Sequence, residues 1–198
     1  MDSDKITKHF QKVDPVFYKL MQKVGPVETI KPRAPNTYFQ SICREIIGQQ
    51  LNGKVARIIF DRFTKLFPNQ KVTPEYLLKM QDAKIRKIGP SWSKVSFVKD
   101  LAKNVVEGTL NLKKLKDLND EQVITELTKV KGIGPWTAQM FLIFTLGRQD
   151  VFSKGDLGLR KAITNLYGQR KEIELITEKW APYRTHACRV LWKSLENE

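Results

Sequence analysis

The fold of this chain is decided by the stretch Val130-Lys131-Gly132-Ile133-Gly134-Pro135-Trp136-Thr137-Ala138, in which two glycines and a proline separate two helix-forming segments. The preceding segment starts at Asn119, with Gln122 three residues on as in a capping box, and continues with apolar residues at helical spacing. Pro135 suits the first turn of the next helix, where its missing N–H is not needed. The stretch therefore predicts a tight turn between two helices, within residues 119–146.

The turn has the composition of an anion site. Gly132 and Gly134 leave backbone N–H groups uncovered by side chains, beside the positive end of the next helix dipole. A phosphate binds in such a place without any charged side chain. The alternative is an ordinary tight turn without a ligand, and a bare Gly-x-Gly pattern does not separate the two.

A carboxylate follows in the segment Val151-Phe152-Ser153-Lys154-Gly155-Asp156-Leu157-Gly158-Leu159. Asp156 stands where an apolar helix begins, and aspartate is a common N-cap residue. The N–H groups and dipole of a helix also keep a carboxylate in this position ionised. Asp156 is therefore predicted to cap a helix, either as its only role or together with a role in a site.

The charge balance indicates an anionic partner. The chain has 198 residues with 35 Lys and Arg against 21 Asp and Glu, a formal charge of +14. Such a balance favours nucleic acid or an acidic membrane surface. A transmembrane helix is not expected, because no apolar run is long enough. The N-terminal residues lack the apolar core of a signal peptide, so an intracellular location is expected, in the cytoplasm, nucleoid or nucleus.

The cysteine count limits the cofactors. An iron–sulfur cluster needs four thiolates, and this chain has only Cys43 and Cys188. A structural zinc site would need further Cys or His at close spacing, and the two histidines show no such pattern. Both cysteines are predicted to be small core residues.

Helical periodicity runs through most of the remaining sequence. Strand-like alternation is scarce and no internal repeat is present, so the predicted fold class is all-α. Thr73 followed by Pro74 indicates a helix start. Further helices are predicted at residues 14–25, 37–48, 52–67, 82–88 and 93–107.

Gly132 to Ala138 resembles the helix-hairpin-helix of the HhH-GPD DNA glycosylase superfamily. Within it, the chain is most similar to the alkylpurine branch, the 3-methyladenine DNA glycosylase II group. The resemblance runs from about Phe39 to Trp192. The other stretches that carry it are Ile46–Leu51, Phe63–Pro68, Asp150–Leu159, Trp180–Arg184 and Leu191–Trp192.

The resemblance implies a fold of two helical lobes with the active site in the cleft between them. Residues 36–146 would form a helical barrel that includes the helix-hairpin-helix at about 119–146. Residues 1–35 would join residues 147–198 in the second lobe.

The implied activity is that of a monofunctional DNA glycosylase, which hydrolyses the N-glycosidic bond of alkylated purines in base excision repair. Breaking this bond develops positive charge on the sugar, which the carboxylate of Asp156 would stabilise. Trp136 stands where bifunctional members of the superfamily have a nucleophilic lysine, so strand cleavage is not expected. Its ring would line the pocket for the flipped base, and core packing is the alternative.

The implied partner is double-stranded DNA that contains a damaged base. Lys131, Gly132, Gly134 and Thr137 would contact the phosphate backbone. Gln50 or Leu51 would fill the gap that the flipped base leaves, although Leu51 is equally well explained as a buried loop anchor. Lys94 and Lys154 are expected to contact phosphate or solvent. No cofactor and no membrane partner are expected, a monovalent cation at the hairpin backbone stays an alternative, and the protein is expected to be a monomer.

Two departures from the family pattern affect specificity. Gly155 stands where members often have a second acidic residue, and Asn52 follows the Gln-Gln motif where a small residue is usual. Two alternatives therefore stay open: another base specificity, such as uracil, mismatched thymine or a deaminated purine, and a helix-hairpin-helix DNA-binding module without catalysis.

Overall fold

Every regular element is helical in the computed structural model, which describes residues 3–168 and 172–196. The all-α prediction is therefore confirmed. Short 3₁₀ turns occupy Pro35–Thr37, Pro68–Gln70 and Leu112–Asp117. The α-helices of the described ranges are α1 (Ser3–Val13), α2 (Pro15–Val24), α3 (Tyr38–Gly48), α4 (Gly53–Thr64), α5 (Pro74–Lys79), α6 (Asp82–Lys87), α7 (Trp92–Val106), α8 (Asp120–Thr128), α9 (Pro135–Phe144), α10 (Leu157–Tyr167), α11 (Ile173–Glu178) and α12 (Arg184–Glu196).

Several helix starts match their sequence signals. The hydroxyl of Thr73 accepts a hydrogen bond from the backbone N–H of Tyr76, and Pro74 follows in the first turn of α5. Helix α7 starts one residue earlier than predicted, because Ser91 caps it through the N–H of Lys94. Helix α1, which no prediction covered, is amphipathic and buries Ile6 and Phe10.

The described chain divides into two compact units. One unit is the continuous segment Pro32–Leu146. Helix α9 is apolar on most of its surface and lies at the centre of this unit, in contact with α3 and α8, while α7 packs on α3 and α5. Cys43 is buried within it, and burial raises the pKa of its thiol.

The other unit combines Met1–Lys31 with Gly147–Glu198. Its core contains a buried carboxylate, Asp14, which caps α2 through the N–H of Phe17. The second oxygen of Asp14 accepts hydrogen bonds from the hydroxyl of Tyr167 at 2.6 Å and from the indole N–H of Trp180 at 2.9 Å. Three donors compensate the burial of this charge. The carboxylate therefore joins α2 to α10 and to the segment before α12.

The described residues contain neither a candidate metal cluster nor a helix that could span a membrane. No cluster of three or more His, Cys, Asp or Glu side chains in residues 3–168 and 172–196 has the arrangement of a metal site. No helix in the same part of the chain is long and apolar enough to cross a membrane.

Candidate active site

The predicted turn lies between α8 and α9. Asn119 and Gln122 form the predicted capping box, each side chain bonding the backbone N–H of the other residue. Pro135 occupies the first turn of α9, as predicted. Gly132 has a φ of +81°, and a Cβ at this position would lie 2.1 Å from the ring of Phe97. Both the backbone conformation and the close ring therefore require glycine there.

Some backbone N–H groups of the turn donate hydrogen bonds within the protein, whereas the start of α9 has no capping side chain. Lys131 donates its N–H to the carboxylate of Asp100 at 2.9 Å, and Ile133 donates to the carbonyl of Val130 at 3.1 Å. Gly134 is the N-cap of α9, and no side chain caps that helix. A Cβ on Gly134 would have no heavy atom within 4 Å. The open N-terminus of α9 thus has the geometry and the dipole that bind phosphate.

Gln49 ties the loop after α3 to this turn. Its amide nitrogen donates to the carbonyl of Gly132 and to the hydroxyl of Thr137, each at 2.9 Å. Thr137 is only 3% exposed, so its side chain is not available to DNA and a contact would have to use its backbone N–H. The side chain of Lys131 is exposed. Among the predicted phosphate contacts, Lys131 therefore offers a side chain, while the others offer main-chain groups.

The two candidates for the gap-filling side chain lie in the short loop between α3 and α4. Gln50 is exposed and has a φ of +56°, a left-handed conformation that is uncommon outside glycine. Leu51 is partly buried and lines a cavity. Asn52 caps α4 through the N–H of Val55. The departure at Asn52 from the family pattern thus has a local structural role.

Lys94 holds this loop in place, which corrects the expectation that it contacts phosphate or solvent. Its ammonium group donates to the carbonyls of Ile47 at 2.9 Å and Gln49 at 2.6 Å, at the C-terminal end of α3. A cation there also interacts favourably with the helix dipole. Partial burial lowers the pKa of Lys94. Lys154, in contrast, is exposed and pairs with Glu174 at 3.5 Å.

Trp136 lines a cavity of about 310 Å³ that lies wholly within the Pro32–Leu146 unit. Trp136 is partly buried and lies in the first turn of α9. Leu51 and Glu45 also line it, together with the three arginines Arg33, Arg44 and Arg57. The volume is in the range of small-molecule sites, about 300–1,000 Å³.

Asp156 is the N-cap of α10, as predicted, and is 9% exposed. Its Oδ1 accepts hydrogen bonds from the backbone N–H of Leu159 at 2.8 Å and from the indole N–H of Trp192 at 3.1 Å. A Cβ on Gly158 would lie 3.2 Å from the same oxygen, so glycine at this position leaves room for the carboxylate. Asp156 is therefore held in one orientation by groups from α10 and α12.

The segment before Asp156 is anchored to the start of α12. Arg184 and Asp150 form a two-point ion pair, at 2.7 Å from Nε and 2.8 Å from Nη2. The hydrogen bond from Arg184 holds the pKa of Asp150 below its usual range. The hydroxyl of Thr185 accepts from the N–H of Val151 and donates to the carbonyl of Arg148. These contacts limit the freedom of the loop that carries the carboxylate.

Trp192 is a site residue to which sequence reasoning gave no role. The stretch Leu191–Trp192 contributed to the resemblance only as part of a C-terminal signature. Its contact with Asp156 joins residues 36 positions apart, so local sequence spacing does not predict it. Gly155, which stands where family members often have a second acidic residue, has open space around its Cβ position.

The sequence pattern described as "HhH-GPD superfamily base excision DNA repair protein" matches residues 43–182. The chain is 32% identical over 193 residues to DNA-3-methyladenine glycosylase 1 of Schizosaccharomyces pombe, which covers 94% of this chain and 85% of that protein. It is 35% identical over 169 residues to the putative DNA-3-methyladenine glycosylase YfjP of Bacillus subtilis, covering 80% of this chain but only 59% of the relative.

Solved structures give the same result. The chain matches the S. pombe 3-methyladenine DNA glycosylase in complex with abasic DNA with a TM-score of 0.88 and 30% identity, over 97% of each chain. A DNA-3-methyladenine glycosidase from Bacillus halodurans matches with a TM-score of 0.79 and 35% identity, over 98% of this chain and 89% of that one.

Proposed function

Because the chain belongs to the HhH-GPD superfamily of base excision DNA repair proteins, we propose that it is a DNA glycosylase that excises alkylated purines of the 3-methyladenine type. It hydrolyses the N-glycosidic bond in double-stranded DNA and leaves an abasic site. The proposal is supported by relatives named DNA-3-methyladenine glycosylase. The observation that carries it is the oriented carboxylate of Asp156 at the start of α10.

Asp156 opposes the charge that the reaction creates. As the C1′–N bond lengthens, positive charge develops on the sugar, and a fixed carboxylate stabilises it more in the transition state than in the ground state. The same carboxylate orients or deprotonates the water that adds to C1′. The hydrogen bonds from Leu159 and Trp192 hold the carboxylate ready for this role, so little reorganisation accompanies the reaction.

The flipped base enters the cavity at Trp136. An alkylated purine such as 3-methyladenine is cationic or electron-poor, and the face of an indole ring attracts such a group. The cavity of about 310 Å³ accommodates a single base. Core packing as the only role of Trp136 is disfavoured by its position on a cavity wall.

The duplex is held by its phosphates. The open N-terminus of α9 supplies main-chain N–H groups around Gly132 and Gly134, and Lys131 adds a charged side chain. The formal charge of +14 adds a sequence-independent attraction. Gln50, exposed at the tip of the α3–α4 loop, or its neighbour Leu51 fills the gap in the base stack.

The reaction needs water as its only co-reactant, and no cofactor is part of the proposal. A monovalent cation at the hairpin backbone would be held by carbonyl oxygens. The carbonyls of Val130 and Gly132 each accept one hydrogen bond, from Ile133 and Gln49, and each keeps a second lone pair. A cation at this turn therefore stays an alternative that the proposed reaction does not require.

We further propose that the enzyme lacks lyase activity, because Trp136 cannot form a Schiff base with the sugar.

The experiment is a panel of duplexes, each with one lesion: a cationic alkylpurine, hypoxanthine, uracil or mismatched thymine. We expect base release from the alkylpurine duplex, with strand nicks only after heat or alkali. Release of uracil or thymine alone would show that the enzyme has that base specificity and not the alkylpurine specificity. Binding without any release would indicate a non-catalytic module. Nicking without treatment, with a borohydride-trapped complex, would overturn the monofunctional assignment.

A further inference from the structure

A groove of about 480 Å³ lies within the unit that combines Met1–Lys31 with Gly147–Glu198. Helices α2 and α10 contribute most of its lining, and α12 adds Ser194. The reaction proposed above makes no use of this groove. Its apolar lining residues follow one another at intervals of one helical turn: Val16, Leu20 and Val24 on α2, and Ala162 and Leu166 on α10.

Solvent reaches part of this apolar lining. Val16 is 46% exposed, and Leu20 and Leu166 are only partly buried. The row from Val16 to Val24 covers about 12 Å of helix α2. Apolar side chains that are grouped along a groove indicate a binding surface, whereas scattered ones do not. A row of this length matches two to three turns of an amphipathic helix laid along it.

The charged residues that line the groove are both lysines. Lys19 and Lys23 are exposed and lie one turn apart on α2. None of the ion pairs found in residues 3–168 and 172–196 includes either of them. Like charges at this spacing disfavour the helix slightly, and neither α2 nor α10 contains an Asp or Glu that would offset them. The groove therefore combines an apolar floor with a positive rim.

We propose that this groove binds an amphipathic helix of a partner protein, whose apolar residues enter the groove and whose acidic residues, one turn apart, face Lys19 and Lys23. Burial of apolar surface supplies the affinity, and the opposite charges at the rim supply orientation and specificity. DNA fits this groove less well, because its backbone offers phosphates to the lysines but no apolar row to the floor. The inference goes beyond the proposed glycosylase function and does not depend on it.

The groove lies along the C-terminal half of α10, whereas Asp156 caps the opposite end of that helix. The rise of an α-helix separates Asp156 from Asn165, which lines the groove, by about 13 Å along the axis. A helix docked in the groove therefore binds apart from the carboxylate. We expect base release to continue while the partner is bound.

The probe for the test is a synthetic helical peptide of about 14 residues, with leucines at i, i+3, i+4 and i+7 and glutamates beside them. A second peptide has lysine in place of every glutamate. Fluorescence anisotropy of the labelled peptides, at fixed ionic strength and without DNA, measures their affinities. We expect the unaltered protein to bind the acidic peptide on the order of tenfold more tightly than the basic one.

Charge reversal at the rim should invert this preference. The double variant Lys19→Glu/Lys23→Glu should bind the basic peptide more tightly, with unchanged base release. The matched control is Lys8→Glu/Lys12→Glu, which reverses two exposed lysines one turn apart on α1 that do not line the groove. This control should keep the preference for the acidic peptide.

The apolar floor is tested by Val16→Ser. Because Val16 is 46% exposed, its replacement should have little effect on folding. It should weaken the binding of the acidic peptide several-fold, since less apolar surface is buried. Thermal unfolding of the variant checks that the fold is kept.

Three results would overturn the inference. The unaltered protein could bind both peptides equally or neither, the control could invert the preference as well, or Val16→Ser could bind the acidic peptide as tightly as the unaltered protein does. Affinity for an undamaged duplex identifies the other occupant: the groove faces DNA if Lys19→Glu/Lys23→Glu weakens duplex binding more than the control and does not change the peptide preference. Absence of base release would contradict the proposed function alone, because the peptides are measured without DNA.

Discussion

In the proposed function, Asp156 serves as a helix cap and as the catalytic carboxylate. Its Oδ1 caps α10 through the N–H of Leu159 and also accepts the indole N–H of Trp192. The small residue Gly158 faces the same oxygen, with a would-be Cβ at 3.2 Å. Capping and catalysis are therefore not competing explanations, because the contacts that satisfy the helix end also orient the charge.

The substitution Asp156→Asn separates the charge from the cap. An asparagine Oδ1 still accepts from Leu159 and Trp192, and Asn is a good N-cap, so the free energy of unfolding should change by less than about 1 kcal/mol. Loss of the negative charge should slow single-turnover base release on the order of a hundredfold or more. DNA affinity should be kept or increase. The measurements are thermal unfolding, affinity and single-turnover rate on one lesion duplex.

A matched control for this variant is Asp82→Asn. Asp82 is exposed at the start of α6 and pairs with Lys99 at 3.2 Å, so its replacement removes the same charge far along the chain from α10. It should leave the rate of base release unchanged. Near-normal release by Asp156→Asn would reduce Asp156 to a cap and remove the catalytic assignment.

At the scale of elements, the two glycines of the α8–α9 turn have different roles. Gly132 is required by its φ of +81° and by the ring of Phe97, 2.1 Å from a would-be Cβ. Gly134 has a φ of −95°, which any residue adopts, and open space around it. A substitution at Gly132 should therefore affect folding, whereas one at Gly134 should affect only the surface of the turn that is proposed to bind DNA.

This difference predicts opposite results for two variants. Gly132→Ala should lower the free energy of unfolding by several kcal/mol, on the order of the larger single-residue effects. Gly134→Leu should leave the unfolding transition close to that of the unaltered protein but weaken binding to damaged and undamaged duplexes alike, since the contact is to phosphate. Unfolding and affinity for both duplexes are measured for each variant. A loss confined to damaged DNA in Gly134→Leu would place the turn at the lesion instead.

The helices and caps were predictable because their signals are local. The capping box of Asn119 and Gln122, the cap at Thr73 and the cap at Asp156 each join residues three positions apart. The site contacts that sequence reasoning missed join distant residues: Gln49 with Thr137, 88 positions away, and Lys94 with Gln49, 45 positions away. Such pairs depend on how helices pack, which spacing along the chain does not encode.

The prediction for Lys94 was wrong for the same reason, because its contacts depend on helix packing. A lysine in an amphipathic helix has the composition of a solvent or phosphate contact, and only the position of the α3 C-terminus relative to α7 shows its hydrogen bonds to Ile47 and Gln49. The position of Trp136 was easier to predict from the sequence, because the turn that precedes it places it at the start of α9.

At the scale of the whole molecule, acid stability should depend on His186 of α12. Burial, with a smaller contribution from Arg189, lowers the pKa of His186 from 6.5 to about 4. The unfolded chain therefore binds this proton at a higher pH than the folded protein does. The stability that His186 contributes is fully present above pH 6.5 and is lost as pH falls toward about 4. The slope is at most about 1.4 kcal/mol per pH unit for one proton.

The variant His186→Gln removes the titrating group and should flatten the dependence of the unfolding free energy on pH between 6.5 and about 4. Chemical unfolding at fixed ionic strength measures it. Asp150→Asn is the control: the pKa of Asp150 is lowered from 3.8, so its contribution is lost only at still lower pH and the slope in the His186 window should persist. An unchanged slope in His186→Gln would contradict the assignment.

The formal charge of +14 predicts that DNA affinity depends steeply on salt. Binding of phosphates releases counterions, so raising monovalent salt from about 50 to 200 mM should lower the affinity on the order of 10³-fold if about six phosphates are contacted. Lys131→Ala should reduce the slope of log affinity against log salt by about one, since its exposed side chain is proposed to neutralise one phosphate. Lys103→Ala, which removes an exposed lysine 3.9 Å from Glu107, should leave the slope unchanged.

Base release from DNA already saturated with enzyme should depend little on salt, because the chemical step follows binding. A slope that is shallow, or that Lys103→Ala reduces as much as Lys131→Ala does, would show that the phosphates are not held at the α8–α9 turn.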